Sequence, residues 1–178
     1  MTFFACLEFV TWKPTRRMTM NRHPTKQVIG VTNYDKCLNT YWLITELDFK
    51  HVAPEEIVER ARRQGMDIAY ILETSKGYHI YWLFSHTNPR KIYHTCMRLS
   101  RKELSDKHHC KLIKSRGGDE SLRWKAILRI SPKYEGDRIM IAWMNPDVKL
   151  PDWHIEVLVA MHFAHKKDWR CRLWPEAC

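Results

Sequence analysis

Two carboxylates, Glu46 and Asp48, stand one residue apart near the end of a predicted strand, TYWLITELDF. Successive side chains of a strand alternate between its faces, so both carboxylates point the same way as Trp42. They lie about 7 Å apart along the strand, where they are placed to share or bridge hard divalent cations such as Mg²⁺ or Mn²⁺. An acidic pair of this kind also recurs by chance at solvated strand ends, so other residues must support a metal site.

The turn formed by Ser75, Lys76 and Gly77 leads directly into a predicted strand that carries His79. A hydroxyl, a cation and an uncluttered backbone N–H are groups that bind phosphate oxygens. His79 shares a strand face with Tyr81, so it joins the same concave donor set. The segment therefore predicts a triphosphate site, although a tight hairpin with a satisfied histidine gives the same pattern.

Further along the chain, Arg129 and Lys133 lie near the end of another predicted strand in the segment LRISPKY, where Pro132 ends the strand. Both cations can reach a phosphate from there. The alternative is that Arg129 is a snorkelling residue of the strand and Lys133 a loop cation.

The charge balance of the chain points to a polyanionic partner. Lys and Arg number 30 against 20 Asp and Glu, a net charge of +10, which favours nucleic acid or an acidic membrane surface. The first ten residues contain Glu8 and have no basic start, so they fit neither a secretion signal nor a membrane span. We therefore expect an intracellular, cytoplasmic protein without a membrane partner.

The cysteines of the chain include no CxxC pair, so we expect free thiols in a reducing compartment. A zinc site is the alternative for the histidines and cysteines between positions 94 and 110, but their spacing fits no familiar zinc finger. A partly exposed strand is the competing interpretation of that stretch. The cysteines are Cys6, Cys37, Cys96, Cys110, Cys171 and Cys178, and the histidines are His94, His108 and His109.

The elements that position these residues follow from hydrophobic alternation and turn signals. The helices run from Pro54 to a stop at Gly65, from a cap at Asn88 to about Leu104, and from Asp152 to His165. The last helix carries one apolar stripe, made of Ile155, Leu158, Val159, His162 and Phe163. The strands are TFFACLEFVTW, QVIGVTN, TYWLITELDF, DIAYILET, GYHIYWLF, HHCKLI, WKAILRI and DRIMIAW.

This order, β β β α β β α β β β α, predicts an α+β fold with an RRM-like mixed, largely antiparallel sheet and helices packed on one side. We expect a single domain over residues 1–178, with a core of about 27–145 to which the N-terminal strand and the C-terminal helix and tail are attached.

The order of the motifs resembles that of the archaeo-eukaryotic primase superfamily, over roughly residues 40 to 135. The motifs are an acidic-x-acidic strand, a Ser-x-Gly-x-His strand, and an aspartate followed at a distance by a Leu-Arg-x-Ser/Pro strand. That superfamily includes the small catalytic subunit of primase and the primase-polymerases of plasmids and viruses. The resemblance implies a metal-dependent nucleotidyltransferase that acts in DNA replication and makes primers from nucleoside triphosphates on a single-stranded DNA template. A replicative helicase or another replication protein is the partner it implies.

The resemblance also implies roles for individual residues. Asp119 competes with Asp106 as the third acidic ligand, and we prefer Asp106 because it opens a predicted strand. The family usually has aspartate at position 46 and a hydrophobic residue at position 105, where this chain has Glu46 and Ser105. The implied catalytic residues and ligands of Mg²⁺ or Mn²⁺ are Glu46, Asp48 and Asp106. The implied nucleotide-binding residues are Ser75, Lys76, Gly77, His79, Arg129 and Lys133.

Two other functions remain open from the sequence. A replication-initiator endonuclease of the HUH kind needs two histidines flanking one residue, and this chain offers only Tyr78-His79-Ile80, with Tyr93 as the candidate nucleophile. A non-catalytic nucleic-acid-binding module of the same fold is equally compatible with the composition. In each case basic residues would grip the template backbone. These are Arg16, Arg17, Arg22, Arg90, Lys91, Arg98, Arg101 and Lys102.

Overall fold

The computed structural model describes residues 4–15, 22–115 and 119–173. Within these ranges the chain forms two antiparallel sheets, five α-helices and one short 3₁₀ helix at Glu120–Leu122. The predicted α+β class and the largely antiparallel pairing of the strands are therefore confirmed. No helix of the described part is long and apolar enough to cross a membrane.

The larger sheet has five strands, and its central strands are buried. Aromatic and β-branched residues dominate these strands, and such side chains pack well on a pleated surface. The spatial order is β3-β4-β6-β5-β8. The strands are β3 (Tyr34–Asp35), β4 (Thr40–Leu47), β5 (Ile68–Glu73), β6 (Tyr78–His86) and β8 (Met140–Met144).

The smaller sheet has three strands in the order β1-β2-β7. A side chain at Gly30, in its middle strand, would lie 2.8 Å from both the Trp12 ring and the Leu128 carbonyl oxygen. Glycine is needed there so that the indole of Trp12 can pack across the sheet. The strands are β1 (Phe9–Trp12), β2 (Val28–Thr32) and β7 (Ile127–Arg129).

Three of the helices lie where the sequence predicts them. The first helix begins with Pro54 in its first turn. Glu55 and Glu56, in the same turn, complement the helix dipole. The side chain of Asn88 accepts a hydrogen bond from the Arg90 N–H at 3.0 Å and caps the second. The helices are α1 (Pro54–Arg63), α2 (Pro89–Ser100), α3 (Lys107–Ser115), α4 (Asp152–Ala164) and α5 (Trp169–Leu173).

The prediction of a strand at HHCKLI is wrong, because this segment forms α3. Its buried residues His109, Cys110 and Ile113 recur at helical spacing, and six residues are too few to separate that period from an alternating one. The Asp106 carboxylate accepts a hydrogen bond from the His109 N–H at 3.3 Å and so caps the helix. Asp106 therefore opens a helix and not a strand.

Three predicted strands are shorter or displaced in the structure, and the one predicted at DRIMIAW begins only at Met140. Residues 4–6 form a turn, so only Phe9–Trp12 of the N-terminal segment is a strand. In WKAILRI the strand is confined to Ile127–Arg129.

Helices cover both faces of the larger sheet, so their predicted placement on one side is wrong. Tyr81 on β6 contacts the rings of Trp153 and His154 in α4, at centroid distances of 6.1 Å and 6.3 Å. Thr45 points to the opposite face, since its neighbour Ile44 pairs with Tyr81. The Thr45 hydroxyl donates to the carbonyl of Leu104, just after α2, at 2.9 Å.

The buried face of α4 also differs from the predicted stripe. Ile155 and Val159 are 42% and 41% exposed. Apolar residues surround this helix on all sides, so periodicity alone does not select the face that packs on the sheet. The buried residues are Trp153, His154, Val157, Ala160, Met161 and Ala164.

Cys96 and Cys110 form a disulfide that links α2 to α3, with 6.0 Å between their Cα atoms. The expectation of free thiols is wrong for this pair and for Cys171, which is also disulfide-bonded, and Cys178 lies outside the described residues. The disulfide also removes the sulfurs that the alternative zinc site requires. Cys6 and Cys37 are free thiols, as predicted.

Candidate active site

A cavity of about 470 Å³ lies where the two sheets meet α3. Its size suits a small organic ligand. One part of its wall is acidic, another is cationic, and a third is apolar. The lining residues are Trp12, Glu46, Asp48, Thr74, Lys76, His79, Leu112, Ile127, Leu128, Arg129 and Lys133.

Glu46 and His79 reach this cavity from neighbouring strands of the larger sheet. They are direct partners in the register between β4 and β6, so their side chains lie on the same face. Asp48 follows the end of β4 and lines the cavity with them. The first and second predicted motifs are therefore brought together.

The imidazole of His109, on α3, holds the Glu46 carboxylate in place. Its Nδ1 lies 3.4 Å from Glu46 Oε2. Burial raises the pKa of Glu46, but the hydrogen bond with His109 and the positive charges that His79 and Arg129 carry at low pH outweigh it and lower the pKa to about 2. Glu46 is therefore an anion at neutral pH.

Asp106 is fixed next to Glu46 by the backbone, because its N–H donates to the Glu46 carbonyl at 2.6 Å. Asp119 lies elsewhere, where its carboxylate caps the 3₁₀ helix by accepting from the Ser121 N–H at 3.0 Å. Asp119 lines a different recess, with Lys114 and Arg123. Of the two candidates for the third acidic residue, only Asp106 lies near the motif carboxylates, and it does not itself line the cavity.

Asp48 experiences the combined negative charge of this acidic wall. Burial raises its pKa first, and the nearby carboxylates of Glu46 and Asp106 raise it further, while Lys76 opposes them. The three carboxylates are nonetheless not a tight cluster. Among the described residues, only another set brings three ligand atoms to within 4.8 Å of one another.

The turn before His79 uses its polar groups differently from the prediction. The Gly77 N–H donates to the Thr74 hydroxyl at 3.1 Å, so this N–H is not free for a phosphate. A Cβ at Gly77 would lie 1.7 Å from the Leu47 carbonyl oxygen, and glycine is needed for this close approach. Ser75 lines an adjoining recess and not the cavity, whereas Lys76 and Thr74 line the cavity.

The cationic wall consists of Arg129 at the end of β7, Lys133 in the turn after it, and Lys76 from the turn before β6. Arg129 donates to the Asp137 carboxylate at 2.9 Å, and the Lys133 N–H donates to the same oxygen at 3.1 Å. Burial lowers the pKa of Lys133, and repulsion by Arg129 and Lys76 lowers it further. The three cations therefore crowd one another, which is the situation that an anionic ligand relieves.

His79 lies between the acidic and cationic walls. Burial lowers its pKa to about 4, and the charges of Arg129 and Lys133 add to this, although Glu46 opposes them. Its ring is therefore neutral at pH 7, and its buried Nδ1 has no hydrogen-bond partner among the described residues. A neutral ring of this kind offers a ligand one N–H donor and one acceptor.

Sequence reasoning missed four residues that build the site. His109 was read as part of a strand, so its contact with Glu46 was not foreseen. Asp137 is 3% exposed, and neither pattern nor spacing distinguishes it from a loop carboxylate. Thr74 and Trp12 belong to no recognisable sequence motif. For Thr74 there was one signal, because threonine directly before a turn such as Ser-Lys-Gly is a residue type that caps turns.

Other predicted residues do not reach the cavity. Tyr93 packs its ring against Trp124 at 5.3 Å and does not line the cavity, so the candidate nucleophile of the HUH mechanism lies outside it. Arg90 lies over the same indole at 5.1 Å. Arg16 and Arg17 lie outside the described residues.

No family model matches this chain, and the comparisons with curated proteins and with solved structures find no significant match.

Proposed function

We propose that this protein is a metal-dependent nucleotidyltransferase of the primase-polymerase type, which extends or starts a strand on a single-stranded DNA template. The observation that carries the proposal is the division of one cavity into an acidic wall and a cationic wall. Glu46 and Asp48 form the first, and Lys76, Arg129 and Lys133 form the second. A nucleoside triphosphate bound with a divalent cation has the complementary distribution of charge.

The acidic wall fits a hard divalent cation such as Mg²⁺ or Mn²⁺. Its ligands would be Glu46, Asp48 and Asp106, since carboxylate oxygens are the donors that such ions prefer. Burial, and after it repulsion by Glu46 and Asp106, raises the pKa of Asp48, and a cation removes that repulsion. When bound, the metal supplies charge neutralisation at the reacting phosphate and lowers the pKa of the attacking hydroxyl.

The cationic wall fits the β- and γ-phosphates of the nucleotide. Lys76, Arg129 and Lys133 neutralise the charge that develops on the leaving pyrophosphate. The neutral ring of His79 donates one hydrogen bond and orients the phosphates between the two walls. The apolar part of the cavity, with Trp12 and Leu112, is suited to the sugar or base.

The course of the chain through the larger sheet supports the same proposal. β4, α1, β5, β6 and α2 follow one another, and the strands lie in the order β4-β6-β5. This order resembles the split βαβ unit of RRM-like folds and supports the proposal. Glu46 lies near the end of its first strand, Asp48 directly follows that strand, and His79 is the second residue of its third.

Incubation with a primed single-stranded template, labelled nucleotides and Mn²⁺ tests the proposal. We expect the wild-type chain to extend the primer, and Glu46→Gln and Asp48→Asn each to lower the rate at least about a hundredfold. Asp119→Asn is the matched control, because it removes a carboxylate outside the cavity. Equal rates in all the variants would refute the assignment of the site.

A non-catalytic nucleic-acid-binding module is the second candidate. The spread of the three carboxylates beyond a 4.8 Å cluster favours it, since two metals about 4 Å apart require close ligands. Template binding without extension, unaffected by Glu46→Gln, would select this module over the enzyme.

A further inference from the structure

A second group of metal-ligating side chains, Cys6, Asp35 and Cys37, lies outside the cavity. The two sulfurs are 2.7 Å apart, and the three ligand atoms all lie within 4.8 Å of one another. Cys6 and Asp35 are buried, whereas Cys37 is exposed. The group therefore has a rigid inner side and one side open to solvent.

The backbone presents these three residues to one another. Asp35 Oδ1 accepts from the N–H groups of Cys37 and Leu38 at 3.0 and 3.2 Å, which folds the turn after β3. Asp35 Oδ2 accepts one hydrogen bond, from the Trp42 indole at 3.1 Å, so that oxygen keeps a free lone pair. The Cys6 carbonyl accepts a hydrogen bond from the Lys36 N–H at 3.0 Å. This bond joins the N-terminal turn to the turn after β3.

The charge around this group is one-sided. A second carboxylate, Glu156, accepts from the Cys6 N–H at 3.1 Å. Among the described residues, no Lys, Arg or His side chain forms an ion pair with Asp35 or Glu156. Two carboxylates thus lie beside two thiols with no ion-paired cation among the described residues, and buried charge of one sign is costly unless it is compensated.

We propose that Cys6, Asp35 and Cys37 bind a thiophilic divalent cation of the zinc class. Two thiolates and a carboxylate are ligands that Zn²⁺ accepts, and softer donors of this kind exclude Mg²⁺. Two thiolates on tetrahedral zinc are about 3.8 Å apart, from Zn–S bonds of about 2.3 Å. The thiols must therefore separate by about 1 Å, which rotation of the exposed Cys37 side chain supplies.

The fourth position of the metal faces Glu156 or solvent, and the site is structural. It fastens the N-terminal turn at Phe4–Cys6 to the turn between β3 and β4. Phe4 and Leu7 bury their side chains in the core next to it. Because the unfolded chain holds no formed site, metal binding adds to the free energy of unfolding.

Titration of the full chain with Co²⁺ tests this site. The chain is first reduced and stripped of metal with a chelator. We expect one equivalent of Co²⁺ to produce the thiolate-to-cobalt charge-transfer absorption, and Zn²⁺ to abolish it by displacement. The oxygen ligands of the cavity cannot produce that band, so the two sites are separated.

Variants assign the band to its ligands. Cys37→Ser should lower the Co²⁺ affinity at least about tenfold and the charge-transfer intensity by about half. Its exposed position preserves the fold, which circular dichroism checks. Leu38→Ser is the matched control in the same turn, since Leu38 is 62% exposed and offers no ligand. The double variant Cys96→Ser/Cys110→Ser should keep the band in full.

Three results would overturn the proposal. The first is a reduced wild-type chain that gives no charge-transfer band. The second is an unchanged band in Cys37→Ser. The third is a disulfide between Cys6 and Cys37, detected by mass spectrometry, that forms as fast in the presence of Zn²⁺ as in its absence. In that case the two thiols react with each other and do not bind the cation.

Discussion

Glu46 and His79 lie directly opposite each other on β4 and β6. Paired residues of antiparallel strands point to the same face, so this register alone places a carboxylate and an imidazole in one cavity. Gly77 sets the register, because only a residue without a side chain fits against the Leu47 carbonyl. The two motifs meet because of how β4 pairs with β6, and a slip of one residue would separate them.

The contact between His109 and Glu46 leads to a prediction about the charge of the acidic wall. His109→Leu removes the hydrogen bond that lowers the pKa of Glu46. Since burial then acts with less opposition, we expect this pKa to rise from about 2 to its ordinary value or higher. His109→Asn keeps an N–H donor close to the position of Nδ1 and should restore part of the shift. A pH titration of ¹³C-labelled glutamate by NMR measures it. Equal values in both variants would contradict the contact.

Gly77→Ala tests the close approach of the turn to β4. The added Cβ would lie 1.7 Å from the Leu47 carbonyl oxygen, so the strands must move apart. We expect the free energy of unfolding in urea to fall by about 3 kcal/mol, at the upper end for overpacking. Gly65→Ala is the control, since no atom lies within 4 Å there and φ is +71°. It should cost only about 1 kcal/mol, for its left-handed backbone.

Much of the fold was predictable where sequence signals are local. Proline and Asn88 at helix starts, and β-branched or aromatic runs bounded by turn residues, act within a few residues. These signals located α1, α2, β4, β5 and β6. The juxtaposition of Glu46 with His79 then required only that two adjacent strands pair.

The errors arise where single interactions, some local and some from elsewhere in the chain, override the residue pattern. HHCKLI became a helix because the Asp106 cap and the bond of Cys110 to Cys96 stabilise it there. The free N–H predicted at Gly77 is taken by Thr74. His109 and Asp137 joined the site through tertiary packing, which a residue pattern of period 2 or 3.6 does not encode.

The disulfide between Cys96 and Cys110 should stabilise both the fold and the acidic wall. It closes a loop with a sequence separation of 14, and in the chain-entropy model this contributes about 3 kcal/mol. We expect a reductant to lower the free energy of unfolding by about this amount, as measured in guanidinium. The loop contains Asp106 and His109, so reduction should also weaken Mn²⁺ binding. In Cys96→Ser/Cys110→Ser, the reductant should lower the free energy of unfolding less than in the wild type, since the disulfide of Cys171 remains for it to reduce.

His154 should make stability depend on pH. Burial lowers its pKa from 6.5 to about 3, so between these values the unfolded chain binds a proton that the folded chain excludes. The free energy of unfolding therefore falls as the pH falls through this window and is unaffected above it. His154→Phe keeps the aromatic packing, and its stability should decline less between about pH 7 and about pH 5. His162→Phe, at an exposed position of the same helix, should behave as the wild type.

The exposed cations at the end of α2 should contact the phosphates of a single-stranded template. Arg101 and Lys102 are exposed and lie directly before the segment that leads to Asp106. Each phosphate contact on a single strand contributes about 0.7 to the slope of log K against log salt, so Arg101→Ala/Lys102→Ala should reduce that slope by about 1.4. Fluorescence anisotropy of a labelled oligonucleotide at several salt concentrations measures it. Lys166→Ala/Lys167→Ala is the control, because it removes an equal charge from the turn after α4 and should leave the slope unchanged. An equal decrease of the slope in both double variants would show that only the net charge of the protein matters.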